Sequence, residues 1–318
     1  MLGIAGAALA LTDVVYQEVA EARDRRRYPP PGRLVNVGGH RLHISRSGDG
    51  GPAVVIIPAL GGVSTEWLRV RDAVASRTSA AVYDRPGFGW SDPAPGWPTA
   101  IGMARDLHAL LDAAEIPRPL VLAGHSLGGL LARVYTQLYR DEMAGLALLD
   151  SSHPRQADRL PKPGLRSRRA QRWAEVALDY ARPLGMRRLR RSLSRQQPRD
   201  AQAAFALSSR QRRAEAKELL AFDAICRDTG VIAGELGDLP LTVVTSSERV
   251  PGLPENSQAQ RARSRFYPAW LGLQKELVAL SADSVHVVAQ NSGHLVHRDD
   301  PDLVARAITD LVRRIRER

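Results

Sequence analysis

Three glycines and a serine stand between two apolar runs in the segment VLAGHSLGGLLARVY, residues 121–135. The run before them is short and partly β-branched, as in a buried strand, and the run after them has helical spacing. Ser126 is therefore predicted to lie where a strand becomes a helix. In that context the pattern Gly-x-Ser-x-Gly is typical of a nucleophile elbow, with Gly124 and Gly128 placed where strand and helix nearly touch. The alternative is that Ser126 only caps a helix.

A serine hydroxyl needs a neighbouring base to become a nucleophile, and the chain has eight histidines. We favour His294, because it follows the predicted strand SVHVVA (284–289) in a loop at the sheet edge where Ser126 is expected. His297, three residues on, could pair with it as a metal ligand. No third ligand has a suitable spacing, so neither a metal nor a cofactor is expected.

Nucleophilic attack on a carbonyl group also creates an oxyanion, which needs two donors already in place. One is expected to be the backbone N–H of Leu127, which follows the serine. The second is expected from the loop in IIPALGG (56–62), where Leu60 is the best candidate and the two glycines allow a close approach. An ordinary turn between a strand and a helix would explain those glycines equally well.

Strands and helices alternate along most of the chain, which predicts a doubly wound, mostly parallel α/β sheet. A hairpin over residues 34–48 is expected to turn at Gly38-Gly39. A helix over 64–76 is expected to be capped by Ser64 or Thr65. Further strands are predicted at 53–58, 79–84, 119–124, 143–150, 239–247 and 284–289, with later helices at 99–116, 126–140, 268–281 and from about 300.

The alternation is interrupted by a basic segment. Residues 155–235 are poor in strand patterns and are predicted to form a helical cap inserted into an α/β core made of 31–154 and 236–318. The formal net charge is +11, and residues 155–217 hold 18 Lys and Arg against 5 Asp and Glu. Such a face favours either an anionic membrane surface or simple solvation. No nucleic-acid motif accompanies it, so no nucleic acid partner is expected.

Residues 1–30 are predicted to form a separate N-terminal helix that stops at a run of prolines. Its apolar part is too short to span a bilayer alone and lacks the basic start of a signal peptide. Membrane contact and docking on the protein's own surface are both compatible with this pattern, so we expect a cytoplasmic protein with membrane association as an option. Cys226, the one cysteine, excludes an internal disulfide and is predicted to be a packing residue.

Four segments in chain order, IIPALGG, YDRPGFGWSD, GHSLGG and NSGHLVHRDDPDLVARAI, resemble the cap-bearing α/β-hydrolases over about residues 34–318. The resemblance implies a serine hydrolase acting on small acyl compounds such as esters. A serine rather than an aspartate at position 126 argues against the epoxide hydrolase and haloalkane dehalogenase branches. The usual His-Gly of the oxyanion loop is replaced here by Pro58-Ala59. In YDRPGFGWSD, Asp84 is expected to fix the loop, and Phe88 or Trp90 is a candidate to line the pocket.

The same resemblance offers two positions for the acid that orients His294. One is the end of the strand before the cap, where Asp150 stands, and this is the position we favour. The other follows the strand after the cap, where the usual aspartate position falls on Arg249 and Glu248 is its neighbour. C–C bond hydrolysis, aminopeptidase and perhydrolase reactions use the same kind of site. A non-enzymatic membrane- or partner-binding protein on a hydrolase scaffold is the alternative from another class.

Overall fold

A computed structural model describes residues 2–160, 199–250 and 252–318 of the chain, with side chains from residue 15 onward. The eight strands found in these described residues form one sheet in the order β1-β2-β4-β3-β5-β6-β7-β8. The first two are antiparallel additions and all later neighbours are parallel, as the alternating pattern predicts. The strands are β1 (Arg33–Asn36), β2 (Arg41–Ser47), β3 (Ala53–Ile57), β4 (Ala80–Tyr83), β5 (Leu120–His125), β6 (Met143–Leu149), β7 (Leu241–Ser246) and β8 (Ser284–Ala289).

Helices cover both faces of this sheet, and the two faces form separate cores. In β3 the side chains alternate: Val55 and Ile57 pack in one core, whereas Val54 and Ile56 pack in the other. The described helices are α1 (Leu2–Arg27), α2 (Leu68–Ala75), α3 (Ala100–Ala113), α4 (Leu127–Leu138), α5 (Gln156–Arg159), α6 (Ala201–Phe205), α7 (Ser209–Ile232), α8 (Gln258–Val278), α9 (Val296–Asp299) and α10 (Pro301–Arg316). Short 3₁₀ segments at Ser64–Trp67 and Arg140–Glu142 precede α2 and β6.

Two helix starts differ from the sequence expectation. Neither Ser64 nor Thr65 caps α2: the backbone N–H of Ser64 donates instead to Asp84 at 2.6 Å, and a 3₁₀ turn leads into the helix. Helix α8 begins ten residues earlier than predicted, at Gln258, where the Ser257 hydroxyl accepts from the N–H of Gln260. The helix continues through Pro268, where the sequence pattern had placed its start.

The described part of the predicted cap is helical. Helix α7 begins at a Ser208 cap and buries Phe222, Ile225 and Cys226 on the core, in agreement with a packing role for the cysteine. Residues 161–198, with most of the basic segment, lie outside the described residues. The division into a core, a cap and an N-terminal helix, and the contact with an anionic surface, therefore stay predictions.

Helix α1 ends just before the prolines, and its second half rests on the start of α7. Gln17 donates to the carbonyl oxygen of Leu207 at 2.6 Å, and Glu21 accepts from the N–H of Ser209 at 2.7 Å and the hydroxyl of Ser208 at 3.1 Å. Within the described residues, no helix is long and apolar enough to cross a membrane. Gln17 and Glu21 thus dock this part of α1 on the protein's own surface.

Candidate active site

Ser126 occupies a strained turn between β5 and α4. Its backbone has φ 53° and ψ −117°, a conformation that non-glycine residues rarely adopt. Its glycine neighbours explain how the turn fits. A Cβ on Gly124 would overlap the carbonyl oxygen of Gly128, and a Cβ on Gly128 would overlap that of Ile57. The glycine spacing is therefore a requirement of backbone contact between the strand, the helix and the neighbouring strand β3.

Ser126 is nearly buried, with 9% of its surface exposed. The hydroxyl lies 3.4 Å from that of Ser152, and the Ser126 carbonyl oxygen accepts from the N–H of Ser152 at 3.0 Å. The loop after β6 thus supports the turn from the side. Gly129 allows this approach, because a Cβ there would overlap the side chain of Ser151.

His294 and Asp150 are brought together across 144 residues. The His294 Nδ1 lies 2.6 Å from Asp150 Oδ2, and the imidazole is 45% exposed while the carboxylate is fully buried. Because Asp150 occupies Nδ1, the Nε2 of His294 is the nitrogen left for proton exchange. The His294 backbone is tied to the elbow, since its carbonyl oxygen lies 2.8 Å from the Nε2 of His125.

Asp150 has further hydrogen-bond partners besides His294. Its second oxygen accepts from the Ser246 N–H and hydroxyl, both at 2.9 Å, and from the indole N–H of Trp270 at 2.8 Å. Burial by itself raises the pKa of Asp150, but the bonds from His294, Ser246 and Trp270 outweigh it, so the pKa lies below its ordinary value. The carboxylate is thus kept ionised. Arg263 extends the network by donating to the Ser246 hydroxyl at 2.6 Å.

Trp270, Ser246 and Arg263 were missed in the sequence analysis. Arg263 lies in the part of α8 before residue 268, which was not predicted. Trp270 lies within the predicted helix, but a tryptophan on a helix gives no sign of a bond to a distant carboxylate. Asp150 and Glu248, the two candidates for the acid that orients His294, lie in different surroundings. Glu248 is exposed, and its backbone carbonyl oxygen accepts from Gln260. The imidazole of His294 is bonded to Asp150.

The loop that carries Leu60 follows β3 and passes the start of α4. A Cβ on Gly128 would also approach the Pro58 carbonyl oxygen at 2.9 Å, so the loop backbone touches the helix that begins at Leu127. This contact brings the segment holding one predicted oxyanion donor to the N-terminal end of the helix that provides the other. The positive end of a helix dipole also favours negative charge there.

The neighbouring histidines have structural contacts. His297 stacks on Trp67 at 4.2 Å between ring centroids, and its Nε2 lies 3.8 Å from Glu66. Burial lowers the pKa of His125 well below its usual value, and the neighbouring rings of His294 and His297 act in the same direction. His125 is therefore neutral, with its Nε2–H available to the His294 carbonyl oxygen.

Metal-ligand spacing occurs elsewhere in the described residues, at His108, Asp112 and Glu142. The guanidinium group of Arg118 already donates to Asp112 at 2.6 Å and to Glu142 at 3.2 Å. The carboxylates of this cluster thus have a cationic partner from the chain itself.

The YDRPGFGWSD segment performs the scaffold role expected of it. Asp84 accepts from the N–H groups of Ser64 and Trp90 and bonds to the buried His43 ring at 2.8 Å. Phe88 and Trp90 were candidates to line a pocket, but both are buried in a cluster with Phe205 of α6. A groove of about 560 Å³ lies beside this segment, lined by Trp97, Arg210, Lys217 and others, and Ser126 is not among its lining residues.

Comparisons with known proteins agree on the fold. The model of the alpha/beta hydrolase family matches residues 54–307. The chain is 24% identical over 272 residues to the uncharacterized protein YqjL of Bacillus subtilis, covering 86% of this chain and 87% of that protein. Other curated relatives match locally, and the chain spans 15–20% of the length of two of them.

Solved structures show the same architecture. A putative lipase from Acinetobacter baumannii superposes with a TM-score of 0.66 at 18% identity, covering 95% of this chain and 97% of that one. An esterase from Thermogutta terrifontis gives 0.63 at 20% identity, with 89% and 98% covered. At these identities the likeness concerns the fold alone. With the family model matching residues 54–307, the chain belongs to the alpha/beta hydrolase family.

Proposed function

We propose that the protein is a serine hydrolase that cleaves esters or related small acyl compounds. Ser126 is the nucleophile, His294 the general base and acid, and Asp150 the group that orients His294. The backbone N–H groups of Leu60 and Leu127 hold the oxyanion. The observation that carries the proposal is the combination of a strained serine at the β5–α4 junction with a histidine bonded to a buried carboxylate.

The reaction then follows from the protonation states. Asp150 fixes His294 with its proton on Nδ1, so Nε2 takes the hydroxyl proton as Ser126 attacks the acyl carbon. The imidazolium ion that forms is stabilised by the ionised Asp150. The same proton passes to the leaving alcohol, and an acyl-enzyme remains. Water attacks the acyl-enzyme in the second half-reaction, with His294 again as base.

The positive φ of Ser126 supports the nucleophile role, because such strain persists only where surrounding contacts hold it. Membership of a hydrolase family and the similarity to a putative lipase and an esterase favour acyl chemistry. The imidazole of His294 is 45% exposed, so a substrate can reach it.

The experiment compares wild type with Ser126→Ala on p-nitrophenyl esters of rising acyl chain length, together with labelling by a fluorophosphonate. We expect Ser126-dependent turnover and labelling, both absent in the variant. A Ser152→Ala variant is the matched control, since this hydroxyl lies 3.4 Å from Ser126 Oγ and has no role in the proposed chemistry. Equal labelling of wild type and Ser126→Ala would refute the proposed function.

A further inference from the structure

A buried arginine and a buried glutamate join the predicted cap to the loop that carries Leu60. Arg85 follows β4 and is 1% exposed, and Glu218 lies on α7 and is 3% exposed. The Arg85 Nε donates to one Glu218 oxygen at 2.6 Å, and Nη2 donates to the other at 2.9 Å. This is a bidentate, charge-assisted pair between residues 133 positions apart.

The guanidinium group of Arg85 also donates hydrogen bonds to backbone carbonyl oxygens of the loop after β3. Nη1 donates to the Pro58 carbonyl oxygen at 2.6 Å, and Nη2 donates to that of Ala59 at 2.6 Å. Glu218 also accepts from the N–H of Gly61 at 3.4 Å. The peptide groups on both sides of Leu60 are therefore bound, one by each member of the ion pair.

The bond to Ala59 has a direct consequence for Leu60. The Ala59 carbonyl and the Leu60 N–H belong to one planar, trans peptide group, so they point in opposite directions. Holding the carbonyl oxygen against Arg85 turns the Leu60 N–H away from Arg85. A hydrogen bond from a cation also polarises the peptide group, which makes its N–H a stronger donor.

Because the proposed function needs the Leu60 N–H as an oxyanion donor, we propose that Arg85 and Glu218 are positioning residues that aim this N–H. Glu218 belongs to the predicted cap, so the oxyanion donor is in place only when α7 is seated. This inference rests on the proposed function and extends it: transition-state stabilisation depends on cap position.

A purely structural role makes a different prediction. Breaking a buried ion pair at one partner is strongly destabilising, whereas replacing both partners by apolar residues of similar volume is often neutral for stability. The double variant Arg85→Met/Glu218→Leu separates the two roles, because it can keep the fold while removing the arginine donors from the carbonyl oxygens of Pro58 and Ala59. The Ala59 oxygen then keeps only the N–H of Gly62, at 2.9 Å.

We expect the double variant to unfold near the wild-type temperature but to lose kcat by about 10- to 100-fold, with KM changed by less than about threefold. A trifluoromethyl ketone that forms a tetrahedral oxyanion with Ser126 should lose affinity by the same factor as kcat. The parent methyl ketone, which binds without forming that adduct to a comparable degree, should keep its affinity.

The control is Arg133→Met. Arg133 is also a buried arginine that binds a backbone carbonyl near the end of α7, that of Ala233 at 3.0 Å, but it does not touch the oxyanion loop. We expect unchanged kcat in this variant. A double variant with wild-type kcat and wild-type affinity for the trifluoromethyl ketone would overturn the proposal.

Hydrogen exchange of the peptide spanning residues 58–63 keeps this test independent of the proposed function. If wild type shows no Ser126-dependent turnover, the proposed function fails and exchange alone decides about the ion pair. Exchange is resolved by residue, because loss of the Glu218 acceptor alone speeds exchange at the Gly61 amide. Faster exchange at the Leu60 amide in the double variant, with the rest of the chain unchanged, supports the positioning of that amide. Unchanged exchange at Leu60 refutes it.

Discussion

The elbow around Ser126 and the attachment of α7 are held in opposite ways. At the elbow, backbone meets backbone: Gly124, Gly128 and Ile57 touch with no room for a methyl group. At α7, charged side chains reach across to backbone groups, through Glu218 on one side and Glu21 on the other. Steric contact gives one allowed geometry, whereas a hydrogen bond depends on the charge and length of the side chain that makes it. The turn at Ser126 is thus fixed by backbone contact, and the polar part of the α7 attachment by charged side chains.

The largest expected effect concerns the acid on the elbow side. Asp150→Asn should lower kcat by about 10³- to 10⁴-fold and leave the fold intact, because an amide facing Nδ1 favours the wrong tautomer of His294. Glu248→Gln, at the exposed alternative position, should change kcat little. Ester hydrolysis by both variants beside far-ultraviolet circular dichroism checks this. A large loss in Glu248→Gln with none in Asp150→Asn would move the acid to Glu248.

Steric contact at the elbow predicts the next effect. Gly124→Ala should destabilise the protein by about 3 kcal/mol or more, since the new methyl group would overlap backbone rather than a movable side chain. Gly272→Ala is the matched control. Its methyl group would meet open space within α8, so it should stabilise by about 0.5–1 kcal/mol. Urea unfolding measures both, and similar values would remove the steric account of the elbow.

Charge at the cap attachment predicts the smallest effect. Burial raises the pKa of Glu21, but hydrogen bonds from Ser209, Gln17 and Ser208 outweigh it and bring the pKa below 4.5. Its stabilisation is therefore complete above pH 4.5 and lost as the pH falls through the folded-state pKa. Glu21→Gln should cost about 1 kcal/mol at pH 7.

The same variant should show a smaller stability difference from wild type as the pH is lowered. Glu18→Gln, an exposed neighbour on α1, serves as the control and should be neutral at both pH values. Thermal unfolding at pH 7 and pH 4 compares the three proteins. A cost for Glu21→Gln that does not change with pH would mean that shape, not charge, matters at this contact.

Local patterns predicted most of the strands and helices, because the spacing of apolar residues that favours an element lies within that element. Alternating or continuous apolar runs predicted the strands, and helical spacing predicted α3, α4 and α10. The start of α8 was misplaced by ten residues: the pattern predicted a helix from residue 268, whereas the helix begins at the Ser257 cap and packs through Trp270 and Leu273. Tertiary packing contributes to where a helix begins, and a short stretch of sequence does not contain it.

The sequence by itself determined the α/β alternation, and it predicted the turn at Ser126 and the role of His294, because residue type, spacing and strand ends are local properties. Only the tertiary structure decided which carboxylate lies against His294, and that Trp270 and Ser246 hold it. It also joined Arg85 to Glu218 and to the loop of Leu60. These contacts span up to 144 residues and depend on strand order and on the seating of α7. A hydrogen bond forms only at about 3 Å. A bond between distant residues therefore depends on how whole strands and helices pack, and not on the local conformational preference of either segment.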